Sequence, residues 1–467
     1  MVVGAMTRPA LSPISWPQVA ADLAPIACDL ATTSVRRRSR DYFWFSPVLS
    51  AKLNGIAGDM VATPKDEAEL LQLARYCVAH NLPLTPRGAG TGNYGQAVPL
   101  HGGVIADLSQ LSGVRWVKDG VARALAGTPL MQIDEAVAPA GFELRFFPST
   151  WKTATVGGFV AGGSSGVGAI NYGSLYEPGT VLALRIVTLE DEPRAIELRG
   201  AEAVKATHAF GATGIITEVE LALAPRRAWW EYAASFPDLI QAVRAMDAVA
   251  RASGFDKKEI GVFDWATARY FDALMPHMVE GQSLVLAMIG EASREPFAEA
   301  VAAAGGTIGL VRPIDGEHPA DPAPLYEYCW NHTTMHALKH DRGMTYLQTL
   351  FTGADYIADI AHLAEHFGDE VPMHVEYSRV NGDVRCFGMQ LLRFTTEARL
   401  NAIIDYHQRH GCIVYNPHTF ELEVGRATDI DPEQVAFKRQ VDPYGLLNPG
   451  KMAGVPAPEG GFFVRGG

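Results

Sequence analysis

The sequence predicts an α+β protein, with a strand-rich first half and a second half in which strands and helices alternate around an antiparallel sheet. Three observations carry this. Many short strands and few helices mark the chain up to about Pro225, the clearest helical pattern there being the stretch from Asp66 to His80. Two glycine-rich loops, Pro86–Gln96 and Thr155–Gly168, interrupt that half after short apolar runs. Beyond Ala224-Pro225-Arg226-Arg227 the texture changes to amphipathic helices between apolar strands.

In order, residues 1–50 read as an N-terminal arm, with a helical piece around Pro17–Ala31 and an aromatic-rich connection, Asp41-Tyr42-Phe43-Trp44. Val61-Ala62-Thr63 is a strand. Asp66 and Glu67 then open a helix at its positive end, with Leu70, Leu71, Leu73, Ala74 and Cys77 at helical spacing. Gly103–Leu108 and Val181–Leu189 read as buried strands, and Arg123–Gly127 and Ile215–Leu223 as half-exposed ones. Residues 51–225 therefore form one domain. In residues 226–410, Leu239–Ala252, Arg294–Ala304, Leu325–Lys339, Ala354–Phe367 and Thr396–Gly411 are helical. Gln282–Ile289 and Met344–Thr352 are strands, and Met373–Val380 with Val384–Leu392 is a hairpin around Asn381-Gly382-Asp383. Arg312–Pro324 is a proline-bearing loop, and residues 411–467 are a loop-rich C-terminal segment.

Composition narrows the function. At 467 residues the chain exceeds one ordinary core, so two domains or three lobes are expected. With 48% apolar and 19% charged residues it is an ordinary globular chain rather than a disordered one. A formal net charge of −13 opposes nucleic-acid binding. The one basic cluster, Arg36-Arg37-Arg38 with Arg40, reads as a solvated face or local ion pairs. The cysteines at 28, 77, 329, 386 and 412 have neither metal-type nor disulfide-framework spacing, which points to a reducing compartment. Val2–Met6 is too short for the apolar core of a signal peptide, and no run is long enough to span a bilayer. The expected location is the cytoplasm.

Glycine permits φ > 0 and leaves consecutive N–H groups bare, a concave arrangement that binds phosphate. One such loop is equally a tight turn. Two of them fit a ligand too long for a single cradle, and a dinucleotide meets that description.

The motifs, taken together, resemble the flavoprotein family of vanillyl-alcohol oxidase and p-cresol methylhydroxylase, nearest its glycolate oxidase and D-lactate dehydrogenase branch. Pro86–Gly92 with Asp107-Leu108-Ser109 is the first match, and Phe147-Pro148-Ser149 through Gly166 to Tyr172-Gly173 the second. Phe210–Glu218 is the third, and Asp442–Lys451 the fourth. The resemblance implies a two-subdomain FAD-binding fold of the PCMH type over 51–225. It also implies an α/β cap on an antiparallel sheet over 226–410, and a tail returning to the flavin. Carried over by motif, FAD would be held by Pro86, Arg87, Gly88, Ala89, Gly90, Thr91, Gly92 and Gln96. From the second loop come Pro148, Ser149, Thr153, Thr155, Val156, Gly157, Gly158, Gly162, Gly163, Ser165, Gly166 and Tyr172. Gly214, Ile215 and Ile216 would lie near the adenosine, and Asn448 and Lys451 would return towards the ring.

The chain departs from the family pattern at three places. Gly90 or Thr91 stands where members with covalent flavin carry a histidine, which implies non-covalent FAD. Asn381-Gly382-Asp383 is followed by Val384-Arg385-Cys386, without the histidine that completes the branch's metal-ligand segment. Trp330 is followed by Asn331-His332-Thr333-Thr334, without the arginine that the branch uses for a substrate carboxylate. The implied activity is hydride transfer from a C–H next to a hydroxyl, of a 2-hydroxy acid or another small alcohol, to flavin N5. Electrons would leave to oxygen, a quinone or a partner protein, since no iron–sulfur spacing exists. The alternatives are a flavin-binding subunit without catalysis of its own, and a nicotinamide-dependent reductase. The chain leaves a homodimer open.

The proton released with the hydride needs an acceptor titrating near neutrality, for which histidine is suited. His332 and His336, with His340, recur every four residues and share a helix face; a surface helix that merely tolerates them is the alternative. The spacing of His332 and His336 also admits a metal, but no third ligand is identifiable. His374 shares a strand face with Glu376, and His418 lies in a polar, aromatic stretch with Tyr415, Asn416 and Glu421.

Overall fold

The computed structural model describes residues 13–315, 322–428, 430–458 and 461–465. The N-terminal Val2–Met6 and the middle of the Arg312–Pro324 loop lie outside them.

The first domain is two sheets. Met60–Thr63, Val104–Asp107 and Leu84–Arg87 pair in parallel, with Ala27–Asp29 added antiparallel at the edge. The arm thus contributes a strand where the sequence predicts only a helix; the helix is short, Trp16–Asp22. The helix Glu67–Ala79 begins where expected, because the Asp66 carboxylate accepts the Glu69 N–H at 2.9 Å. The second sheet is antiparallel and centres on Ile215–Pro225 between Val181–Val187 and Val121–Leu125. The first glycine loop follows Leu84–Arg87 of the first sheet and the second precedes Val181–Val187 of the second, and the two loops touch where Gly88 meets Thr155.

The second domain is an eight-stranded antiparallel sheet, and its strands include Trp229–Phe236, Lys257–Phe263, Ser283–Gly290, His374–Val380 and Asp383–Gly388. Helices Leu239–Arg251, Arg294–Ala303, Tyr356–Phe367 and Glu397–Arg409 cover one face. Val243, Met246, Phe297, Leu363 and Ile403 pack there against Ile260, Val262, Val375 and Tyr377. The other face carries Glu259, His374, Glu376 and Ser378, and it turns towards the glycine loops. Cys412–Tyr415 pairs with Gln348–Phe351, so the sheet draws in part of the C-terminal segment.

Three sequence expectations are corrected. The helix expected over Leu325–Lys339 is a 3₁₀ turn, Leu325–Tyr328, and a separate helix, His332–His340, because Trp330 takes a left-handed backbone with φ +53. The single strand Met344–Thr352 is two, Met344–Tyr346 and Gln348–Phe351, in different sheets. The tail contains a helix, Pro432–Val441, opened by the Asp431 cap and a proline in its first turn.

The domains are joined by a buried ion pair. Lys258 donates to Glu143 at 2.8 Å, and Trp229 Nε1 donates to the same carboxylate at 2.9 Å. Removing either charge would strand the other out of water, at a cost of about 3–5 kcal/mol. This contact fixes the sheet over the loops.

Candidate functional site

One cavity of about 710 Å³ lies between the two domains, in the size range of ligand and cofactor sites. Its wall includes Pro86 to Gly92 and Gln96, then Pro148, Ser149, Thr153, Thr155, Gly157, Gly158, Gly162, Gly163 and Ser165, with Ile216 behind them. The arm adds Tyr42 and Phe45, the cap adds Trp330, Asn331, His332, Gln348 and Met389, and the tail adds Tyr415, Asn416 and Arg426.

The first loop is a cradle of bare amides. Among the described residues, the backbone N–H groups of residues 89–93 have no protein acceptor. Gly90 takes φ +71, and a Cβ there would lie 2.1 Å from Arg87 Nη2, so the Arg87 guanidinium fills the space beneath it. Gly88 is needed for another reason. A Cβ there would meet Thr155 Oγ1 at 2.2 Å, so this glycine lets the loops touch.

The second loop differs from expectation. The amides of Val156, Gly157 and Gly158 at the start of helix Val156–Gly162 already donate to Thr128 O, Ala126 O and Thr155 Oγ1. The bare amides lie beyond the helix, at residues 164–166, of which Ser164 and Ser165 line the cavity. Two separate rows of unsatisfied donors facing one cavity suit a ligand with oxyanions and carbonyls along its length. A bound FAD fits that arrangement.

Several motif residues stand behind the wall. Val156 and Ile215 are core side chains, and Gly166 and Gly214 are close-approach positions against Phe147 O and Ile186. Tyr172 stacks beneath Arg145 at 5.3 Å. Asn448 Nδ2 donates to Gln96 O at 2.9 Å and to Phe210 O at 2.6 Å, and Lys451 Nζ donates to Gly95 O at 2.6 Å. Asn448 and Lys451 therefore clamp the first loop from behind and do not line the cavity. Burial holds Lys451 down at about 7 and pushes Asp41 up to about 6, and Asp41 accepts the Ala97 and Phe43 amides at 3.3 and 2.9 Å.

The four histidines part company. His332 is on the wall, its Nδ1 is buried without a hydrogen-bond partner, and burial holds its pKa below 6.5. His336 does not line the cavity; it stacks on Tyr328 at 4.4 Å, and burial lowers it to about 4. His418 is a buried staple, with Nδ1 2.8 Å from Ser46 Oγ and Nε2 3.0 Å from Tyr346 O, and burial lowers it to about 4. His374 lies inside the cap, 2.8 Å from Glu376 and stacked on Phe263, and burial lowers it to about 3. His340 pairs at the surface with Asp272.

Behind the wall, the carboxyl groups of Glu259 and Glu376 are neighbours in full burial. Glu376 accepts the Trp330 N–H at 3.0 Å and Glu259 accepts Trp330 Nε1 at 3.0 Å, which holds Trp330 in its left-handed turn and sets His332 on the wall. Burial raises Glu376 from 4.5 to about 7, and burial with the Glu376 charge raises Glu259 well above its ordinary range. A carboxyl group that binds its proton more tightly when folded stabilises the fold fully below pH 4.5, and that contribution is lost as pH rises to about 7. The thermal midpoint of wild type minus that of Glu376→Gln is therefore expected to fall between pH 4.5 and about 7. A flat difference would show that Glu376 is ionised throughout.

Sequence reasoning missed the arm residue Tyr42 and the lining groups His208, Gln348 and Arg426, which enter from elements far apart in the chain. Among the described residues no group of three or more His, Cys, Asp or Glu is arranged to hold a metal ion, and no helix is long and apolar enough to cross a membrane.

Residues 58–193 match the family model of the FAD binding domain. D-lactate dehydrogenase of Archaeoglobus fulgidus is 28% identical over 204 residues, 41% of this chain and 45% of the relative. Glycolate oxidase subunit GlcD of Escherichia coli K12 is 28% identical over 178 residues, 36% of this chain and 35% of the relative. D-2-hydroxyglutarate dehydrogenase of Arabidopsis thaliana is 28% identical over 178 residues, 36% of this chain and 31% of the relative. The matched stretch thus spans less than half of each curated relative. Solved structures of alkyldihydroxyacetonephosphate synthase share the fold over 97% of this chain and 87% of theirs, with a TM-score of 0.69 and 16% identity.

Proposed function

Residues 58–193 form an FAD-binding domain, and from that premise we propose that the chain is an FAD-dependent oxidoreductase removing hydride from a C–H next to a hydroxyl. The donor is a 2-hydroxy acid or another small alcohol, the FAD is held without a covalent bond, and the acceptor is oxygen, a quinone or a partner protein. In this reading 51–225 hold the cofactor, 226–410 cap it and 411–467 brace it. The observation that carries the reading is the single cavity walled by both glycine loops and by the cap. The curated relatives named for lactate, glycolate and 2-hydroxyglutarate support it.

Bound there, FAD supplies a hydride acceptor at N5. The chain's own part is to place the donor and take its proton. Burial disfavours the charged form of His332, which lines the cavity, and its Nδ1 has no hydrogen-bond partner, so the ring is suited to take a proton. Trp330 and Met389 exclude water around it, and Asn331 and Gln348, hydrogen-bonded at 3.1 Å, offer polar contacts to the hydroxyl. A homodimer in the cytoplasm completes the proposal.

The purified protein is expected to be yellow and to release its FAD on acid or heat denaturation; flavin remaining with the precipitate would disclose a covalent bond. Anaerobic mixing with a panel of hydroxy acids and neutral alcohols tests the activity through bleaching near about 450 nm. Bleaching by a nicotinamide alone would favour the reductase. A relative named as a subunit favours a second reading, in which this chain passes electrons to a partner; co-purification of such a partner, with bleaching but no turnover in its absence, would support it.

A further inference from the structure

Three cations line the cavity among the described residues: Arg87, Lys152 and Arg426. Arg87 lies beneath the first loop, donating to Arg40 O at 2.6 Å and Ala89 O at 3.4 Å, with the charges of Asp41 and Asp107 close by. Lys152 is neutralised by Glu327 at 2.7 Å. Arg426 has no carboxylate partner among the described residues. Its Nη1 donates to the Gln434 side-chain oxygen at 3.0 Å, its Nη2 donates to His208 O, and its Nε is buried without a partner. Glu177, the lining carboxylate on this side, accepts the Asn381 N–H at 2.8 Å.

The neighbours of Arg426 suit an anion. Burial and the adjacent guanidinium hold His208 down at about 4, so the ring is neutral, with Nδ1 2.7 Å from Gly163 O. Tyr176 keeps its hydroxyl proton at neutral pH and lies beneath the guanidinium at 5.8 Å. The His208 backbone N–H donates to Val160 O, which places this cluster at the last turn of helix Val156–Gly162, next to the bare amides of residues 164–166. The first loop meets the same helix at Thr155 and Gly158, its first turn. The two ends are about 8 Å apart along the axis.

Resting on the hydride-transfer reading, we propose that Arg426 binds an oxyanion at this second end of the cavity, namely the carboxylate of the hydroxyl-bearing donor. A guanidinium matches the two oxygens of a carboxylate with parallel hydrogen bonds. The diphosphate of the cofactor is the other source of the same chemistry. The amide row of residues 89–93, at the opposite end, would hold that diphosphate.

The test needs no turnover. Holoprotein is titrated with oxalate, and with uncharged oxamide as a control, reading the change in flavin absorption and the thermal midpoint. Oxalate is expected to bind wild type and oxamide to be inert. Arg426→Gln is expected to weaken oxalate at least about tenfold with FAD content unchanged, and Arg426→Lys to fall between. Equal oxalate binding in wild type and both variants, or none in wild type, would overturn the proposal. Loss of FAD from both variants would assign the guanidinium to the diphosphate and overturn it equally. If Arg426→Gln does not fold, Arg426→Lys decides: unchanged oxalate affinity refutes the proposal. Since oxalate carries no hydride, these outcomes are independent of whether any alcohol reduces the flavin.

Discussion

FAD retention is expected to be abolished in Gly90→Val and in Gly88→Val, for different physical reasons. At Gly90 the backbone has φ +71, which costs a branched residue about 1–2 kcal/mol, and the new side chain would expel the Arg87 guanidinium from beneath the loop. At Gly88 the obstacle is Thr155, whose hydroxyl caps helix Val156–Gly162 through the Gly158 N–H at 3.3 Å. A side chain there would separate the loops and dislodge the cap, worth about 1 kcal/mol, while closing the cavity between them. Flavin content after gel filtration, with circular dichroism to confirm folding, measures both. Normal flavin in both variants would make the first loop an ordinary turn.

The second large effect is at His332. Its replacement by alanine is expected to slow flavin reduction by a donor about a hundredfold or more, with FAD content and stability unchanged. The same change at His336 is expected to leave the rate near wild type, because that ring packs on Tyr328 away from the cavity. At His374 and His418 the expected loss is in stability, since His374 is buried in a hydrogen bond to Glu376 inside the cap and His418 ties the arm residue Ser46 to Tyr346 of the cap. Rapid-mixing rates beside thermal midpoints separate the two kinds of defect. A His332→Ala variant that reduces at the wild-type rate would pass the role of proton acceptor to Tyr415, which also lines the cavity.

The glycine loops were legible because their chemistry is local: residues 89–93 need bare amides, and glycine with small neighbours provides them. The cap helices were legible from apolar periodicity, and so was the hairpin around Asn381-Gly382-Asp383. What escaped depends on partners distant in sequence. Trp330 breaks the helical run because Glu376 and Glu259, on two cap strands, capture its backbone and ring N–H groups. No pattern within Leu325–Lys339 announces that. Leu347 separates two strands because the chain crosses from one sheet to another there, which local alternation does not encode. The helix Pro432–Val441 is a different case. Asp431 and Pro432 signalled it, and the surrounding loop residues obscured them.

Arg426 and His208 illustrate the same limit at the site. Neither belongs to a motif, and they meet only because the tail runs back across the last turn of the second-loop helix. Asn448 and Lys451 show the converse, motif residues that brace the site from outside it.

The central claim is that this cavity brings the hydroxyl-bearing carbon of a donor to bound FAD for hydride transfer. The measurement that tests it most directly is anaerobic stopped-flow reduction of the holoprotein by the best donor of the panel, prepared with hydrogen or deuterium at that carbon. The expected result is single-phase bleaching that is slower with deuterium and slowed again by His332→Ala. A flavin that stays oxidised with every donor, or one whose bleaching is indifferent to the label and to His332, would contradict it.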